Sequence, residues 1–546
     1  MTSFQQICTF GCFSFFIMAT PGSADFVFAA ASPHTKESHS LENAKDNAED
    51  KDKDKDKDKK AEAFSSNIPD HTPFAKKSST IEVKNGETIT LTASIVKQKI
   101  GNRVIKRLSY NGMIPGPILK AKVGTSISLK VVNHTDIDTT LHSHGLRLGY
   151  LNDGVPGIGQ EAIKPGGEFV YKITFPDSGL FWYHPHIRED YAQEMGLYGS
   201  YVVTGEDPKY YNPVDREENI ILDDLNLGSM GQMPKFMKTE TNYALMGRFG
   251  NILLANDDPH YQVSVREGEV VRFLLTNASN TRVYRLSAKG ITLKKIASDM
   301  SRYEREEMIE EAILAPAERL IVEAYFPKSG VFSIEHKGSG KSQTLFKVQV
   351  KKQKNFIAKY VKDFENLRSL PEISKEMESV RKMQNVKPDK DILLSVTIPE
   401  ALTDHMKHMN HGSASAIEWD DPMESMNYES TSKDIFWKII DKSSGKTNMD
   451  IDWKFKMGSL TKIRIYNDPK SDHPMHHPIH FHGQRFVVTA LDGKPMDNLV
   501  WKDTALVPNG SVMDIVLEAS NPGKWMAHCH IAEHLHSGMM LGFEVI

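Results

Sequence analysis

Four His-x-His pairs, His142/His144, His184/His186, His480/His482 and His528/His530, hold most of the reactive side chains of this sequence. On a β-strand, residues i and i+2 face the same way, so each pair offers two imidazoles to one site. Imidazoles in that number, with few carboxylates beside them, suit copper, zinc or iron better than calcium or magnesium. One such pair is an ordinary coincidence; four at matched positions are not. In His528-Cys529-His530 the same alternation turns Cys529 away from its neighbours, so two sites lie back to back across one strand. His534 and Met539 follow Cys529 along the chain, and His477 can complete its set. Two imidazoles, a thiolate and a weak thioether make the blue-copper arrangement. Met540 competes with Met539 for the axial place, and either could simply pack in the core.

The elements that position these residues come from a threefold repeat. Gly124, Gly268 and Gly458 each open an alternating strand, and Asn133, Asn277 and Asn467 close it nine residues later. Ile127, Leu129 and Val131 alternate along the first, as do Val271, Phe273 and Leu275, then Thr461, Ile463 and Ile465. Period two predicts strands with one buried face. Turn glycines Gly179, Gly330 and Gly523 precede a further strand in each unit. Short strands between Gly/Pro/Asn turns make each unit a β-sandwich. Five residues after the turn glycine, the first and third units carry His184 and His528, and the second carries Glu335. The middle unit keeps the frame without the histidines, so metal chemistry belongs between the first and third.

The motifs HSHG, HPH, HPIHFH and HCHIAEHLHSGM together resemble those of the multicopper oxidases, the laccase and ascorbate oxidase family, over about residues 80–546. The resemblance implies an all-β fold of three cupredoxin-like Greek-key sandwiches and four copper ions. It implies type 1 copper at His477, Cys529, His534 and Met539, and type 2 copper at His142 and His480. It implies a type 3 pair at His144, His184, His186, His482, His528 and His530. The implied reaction passes single electrons from a substrate near exposed edges of His477 or His534, through Cys529, to a trinuclear cluster that reduces O2 to water. Asp153 in NDGVPG and Glu533 in HCHIAEH match family acids beside the cluster, where carboxylates could relay protons, although Asp153 could also cap a turn.

The remainder of the chain bounds the setting. With 67 basic and 71 acidic residues the net charge is −4, which offers no electrostatic footprint for nucleic acid. The apolar stretch 7–19 is too short to span a membrane and, with Ala29-Ala30-Ala31 after it, reads as a secretory signal over 1–31. That predicts export to the periplasm or medium; removal of the leader leaves Cys529 as the sole cysteine. Residues 32–77, with their KDKDKDKDKK run, read as a charged tether. The expected domains are 78–206, 207–352 and 427–546, with 353–426 as linker. That linker holds an insert containing His405, Met406, His408, Met409, His411, Met423 and Met426. Thioethers with imidazoles capture Cu(I), as in copper-resistance members of the family, although methionines also fill cores. His473, Met475 and His476 form a second such group. The expected partners are O2 and a reductant, whether Cu(I), Fe(II) or phenols. The alternatives are a general phenol-oxidising laccase, or a copper-binding electron-transfer protein without catalysis.

Overall fold

The computed structural model describes residues 63–229, 231–400 and 416–546. Its architecture is six sheets in three face-to-face pairs, each pair closing around an apolar layer. In the first domain, a five-stranded sheet ends on the strand His142–His144, next to Gly179–His184. A four-stranded sheet containing Ser126–His134 lies opposite. In the third domain the five-stranded sheet runs through Gly523–Cys529 and His477–Phe481, and the six-stranded sheet contains Leu460–Asn467. The middle domain repeats this plan with Val270–Asn277 and Gly330–His336.

The repeat has a physical basis. Gly124, Gly268 and Gly458 have φ of 81°, 94° and 78°, in the left-handed region that glycine enters without strain. Each buried asparagine then does the same work at the end of its strand. Asn133 donates to the carbonyls of Ile137 and Ile163, Asn277 to those of Arg282 and Leu314, and Asn467 to those of Met475 and Val507. Buried carbonyls of neighbouring loops are thereby satisfied, which fixes those loops against the sandwich.

Two expected boundaries move. Residues 63–77 are not tether. Phe64 packs on Tyr191 at 4.8 Å, and the Ala75 N–H donates to Lys97 O. The apolar anchor Phe64 stands among polar residues in the sequence, which hides it. Similarly, 353–426 is not all linker. Lys390–Thr397 is a strand of the third domain, parallel to Leu460–Asn467 and antiparallel to Phe436–Asp441. Its Ile392, Leu394 and Val396 are buried in alternation, a pattern hidden beside a Lys/Glu-rich stretch. That stretch contains the helix Pro371–Lys382, which buries Ile373, Met377 and Val380 along one face. Among the described residues no helix is long and apolar enough to cross a membrane.

Candidate metal centre

The four predicted histidine pairs meet between the first and third domains. In the first, His142 stands opposite His184 on antiparallel strands; in the third, His480 stands opposite His528. The two hairpins face each other, so His144 stacks on His480 at 3.8 Å and His142 lies 4.2 Å from His482. Three sets of ligand atoms result, each lying within 4.8 Å of one another: His144, His184 and His530; His186, His482 and His528; His142, His144 and His480. A fourth set, His477, Cys529 and His534, lies on the other face of Gly523–Cys529. Strand parity therefore separates the sites as expected.

Met539 is fully buried in the same apolar cluster as Cys529, and its carbonyl accepts from the Cys529 N–H at 3.0 Å. Met540 belongs to a different cluster with Val155, Met526 and Leu535. The structure thus gathers Met539, not its neighbour, with the cysteine.

The donor chemistry fits a soft, imidazole-binding metal. Burial, reinforced by neighbouring imidazoles, holds His144, His184, His480, His482 and His528 well below the usual histidine range, and His530 at about 3. The rings are neutral at physiological pH and carry free lone pairs. The Nε2 atoms of His142, His184, His480 and His530 are buried without a hydrogen-bond partner, and all but His530 donate through Nδ1 to a carbonyl. Orphaned buried nitrogens aimed at one another are costly unless a cation takes them up. Burial also pushes the Cys529 thiol up, so its thiolate forms only beside a metal.

Carboxylates orient these rings. Asp153 accepts from His482 Nδ1 at 2.8 Å and lies 3.3 Å from His142 Nδ1, and is itself buried. Glu533 is buried with both oxygens unpartnered, 3.9 Å from Arg248; burial raises its carboxyl to about 7 despite that guanidinium. Three functional neighbours escaped the sequence reading. Glu189 bridges His186 at 2.9 Å and His536 at 2.7 Å. It lies three residues past His186, a spacing that could have flagged it. Asp503 holds His144 across 359 positions, and Trp437 lies against His534; neither carries a spacing signal.

One expectation fails. His477 and His534 have no exposed edges, being 1% and 0% accessible. Trp437 covers both rings, and its Nε1 is tied to Ala244 O at 2.8 Å. Met423 is buried in the apolar cluster that contains Cys529, and Met426 is half-buried against it, so both pack in the core. Met475 and His476 are buried too. His405, Met406, His408, Met409 and His411 lie outside the described residues.

Sandwich domains that enclose clustered imidazoles and a thiolate define a copper-dependent oxidoreductase. The chain resembles the multicopper oxidases: family profiles of that description match residues 79–208 and 418–546. It is 27% identical to the multicopper oxidase mco of Staphylococcus epidermidis, over 80% of this chain and 84% of that protein. It is 26% identical to MmcO of Mycobacterium tuberculosis, over 84% and 87%. A segment covering 31% of this chain is 30% identical to copper resistance protein A of Pseudomonas syringae, spanning 27% of that protein. The fold matches a multicopper oxidase of Campylobacter jejuni described as a metallo-oxidase, with a TM-score of 0.63 at 22% identity, over 88% of this chain and 99% of that one. The protein is therefore an enzyme that couples one-electron oxidation of a reducing substrate to reduction of O2.

Proposed function

We propose that this enzyme carries four coppers and oxidises small metal ions, Cu(I) foremost, in copper tolerance outside the cytoplasm. Type 1 copper would be held by His477, Cys529 and His534, with Met539 the thioether beside them. Type 2 copper would be held by His142 and His480. The type 3 pair would be held by His144, His184 and His530 and by His186, His482 and His528. Bound there, copper supplies one-electron oxidation at one face of the strand and four-electron O2 reduction at the other. The observation that carries this reading is the back-to-back placement of Cys529 between His528 and His530.

The protein's own groups do the rest. Cys529 connects directly to both flanking histidines, so the electron path between the sites is a few bonds long. Asp153 fixes the ring planes of His482 and His142. Glu533, with its carboxyl raised to about 7 by burial, can take up and yield a proton near neutral pH beside the adjoining site. The buried imidazole edges bar a phenol ring from direct contact, which favours a small ion. The soft-ligand insert at 405–411 is suited to collecting Cu(I). The apolar 7–19 stretch supports export.

Oxygen uptake by the copper-loaded enzyme with Cu(I), Fe(II) and a panel of phenols tests the reading. Highest kcat/KM for Cu(I) is expected. Faster phenol turnover than either ion would make a general laccase the better description.

A further inference from the structure

Arg319 begins a strand of the middle domain, the domain without a histidine pair, and is fully buried. Its Nε donates to Leu180 O of the first domain at 2.9 Å. Its Nη1 donates to Ala317 O at 2.9 Å and to Asp503 Oδ1 at 2.7 Å, and Nη2 grips Asp503 Oδ2. The pair is bidentate, which fixes the plane of the carboxylate as well as its position. Asp503 belongs to the third domain, so one guanidinium ties all three domains together at this point.

The same Asp503 Oδ1 lies 2.9 Å from His144 Nε2, and Thr504 Oγ1 lies 3.0 Å from it. Arg319 supplies only donors and Asp503 accepts them, so the carboxylate stays an acceptor and His144 Nε2 must carry the hydrogen. His144 Nδ1 is then the lone-pair nitrogen, and it is buried without a partner. The ring is reversed relative to its neighbours. His142, His184, His480 and His528 hold Nδ1 on carbonyls, and His186 and His482 hold it on carboxylates. They present Nε2 inward, whereas His144 presents Nδ1.

Gly145, directly after His144, bears the mark of this clamp. A Cβ there would strike the Asp503 carboxylate and lie 2.8 Å from Arg319 Nη2, and its φ is +83°. The glycine of the HSHG motif is the gap through which the ion pair reaches the histidine.

We infer that Arg319 is a positioning residue for the copper cluster: through Asp503 it holds His144 in the one tautomer and orientation that presents Nδ1 to the metal. This rests on His144 being a copper ligand, as proposed above. The middle domain, which supplies none of the ligands, would then set the geometry of one. Outer partners of a ligating histidine are commonly worth about 10–100-fold in metal affinity.

The test uses full-length Arg319→Gln, Arg319→Lys and Asp503→Asn, with copper per chain, blue absorbance and the EPR-detectable copper fraction as readouts. Wild-type enzyme reports first: absence of an EPR-silent pair there would sink the ligand assignment itself, separately from the clamp. Given that pair, Arg319→Gln is expected to keep the blue colour, to bind cluster copper about 10–100-fold more weakly, and to raise the EPR-detectable fraction. Arg319→Lys should fall between, since an ammonium keeps the charge but loses the fork. Should Arg319→Gln fail to fold, Asp503→Asn carries the test: it conserves volume and removes the bidentate acceptor. Unchanged affinity and EPR fraction in Asp503→Asn would overturn the proposal. So would full restoration by lysine, which would reduce the role to charge alone.

Discussion

Trp437 lies flat on His534, ring centroids 4.0 Å apart and planes 28° from parallel, and meets His477 edge-on at 4.9 Å. The indole closes the face of the His477–Cys529–His534 site through which a substrate would otherwise touch an imidazole. Any electron entering from that side crosses Trp437 or its immediate surroundings. Trp437→Ala should expose the His534 ring and raise kcat/KM for phenols relative to Cu(I). It should also cost about 3–5 kcal/mol of stability, as large core truncations do. Trp437→Phe is the milder probe, losing chiefly the Nε1 bond to Ala244, worth about 1 kcal/mol. Phenol kinetics unchanged in both variants would show that substrates approach elsewhere.

Cys529 is the only cysteine among the described residues. Cys529→Ser should abolish the blue absorption and the oxidase activity, while the eight histidines of the other three sets still bind copper. Metal analysis should find about one copper fewer per chain. A blue variant would place the thiolate assignment in error.

Met539 and Met540 occupy different apolar clusters, which turns their rivalry into a measurement. With Met539 as the thioether donor proposed above, Met539→Leu removes a sulfur that would stabilise oxidised copper, so the potential of the Cys529 site should rise. Leucine nearly conserves the volume, and stability should change by less than about 1.5 kcal/mol. Met540→Leu should leave the potential where it was.

His336 shows that burial alone does not make a ligand. It sits in the middle domain, fully buried, with Nδ1 accepting from the Arg285 N–H at 3.1 Å. Burial, helped by Arg282, lowers it to about 4. An unfolded histidine titrates near 6.5, so below that pH the unfolded chain takes a proton that the fold refuses. The native state should therefore lose up to about 3 kcal/mol as pH falls from roughly 6.5 to 4. His336→Asn keeps an acceptor for Arg285 and removes the titration. Melting curves of the copper-loaded variant should fall less steeply with acid than those of the parent; parallel curves would refute the assignment.

What the sequence disclosed, and what it concealed, follows from the range of the interactions. His528, Cys529 and His530 could be sorted onto two faces because strand parity is local. Asn133, Asn277 and Asn467 stood out because a repeat multiplies a weak signal. Asp503 on His144, Trp437 on His534 and Arg319 on Asp503 join residues of different strands or domains. No periodicity encodes such contacts. The strand Lys390–Thr397 was hidden for another reason, since a charged run containing Lys387, Asp389, Lys390 and Asp391 leads directly into its three buried positions. The expected exposure of His477 and His534 failed because a cover built from Trp437 and Ala244 comes from two distant segments.

The Met/His-rich insert gives the most discriminating prediction. Removing 405–426 outright is the wrong experiment. Met423 is core, Trp419 O accepts from Arg282 at 2.8 Å, and Asp420 pairs with the same guanidinium at 3.1 Å. Losing these would unsettle the junction of the second and third domains. Substitution of His405, His408 and His411 by Gln and of Met406 and Met409 by Leu removes the soft ligands and leaves the chain length intact. If those five side chains collect Cu(I), the substituted enzyme should show a raised KM for Cu(I), with kcat almost unchanged, because delivery and not electron transfer is impaired. Phenol oxidation should be equal or faster, since bulky reductants need no thioether. An unchanged KM for Cu(I) would remove the insert from the mechanism and shift the preferred reading toward a general laccase.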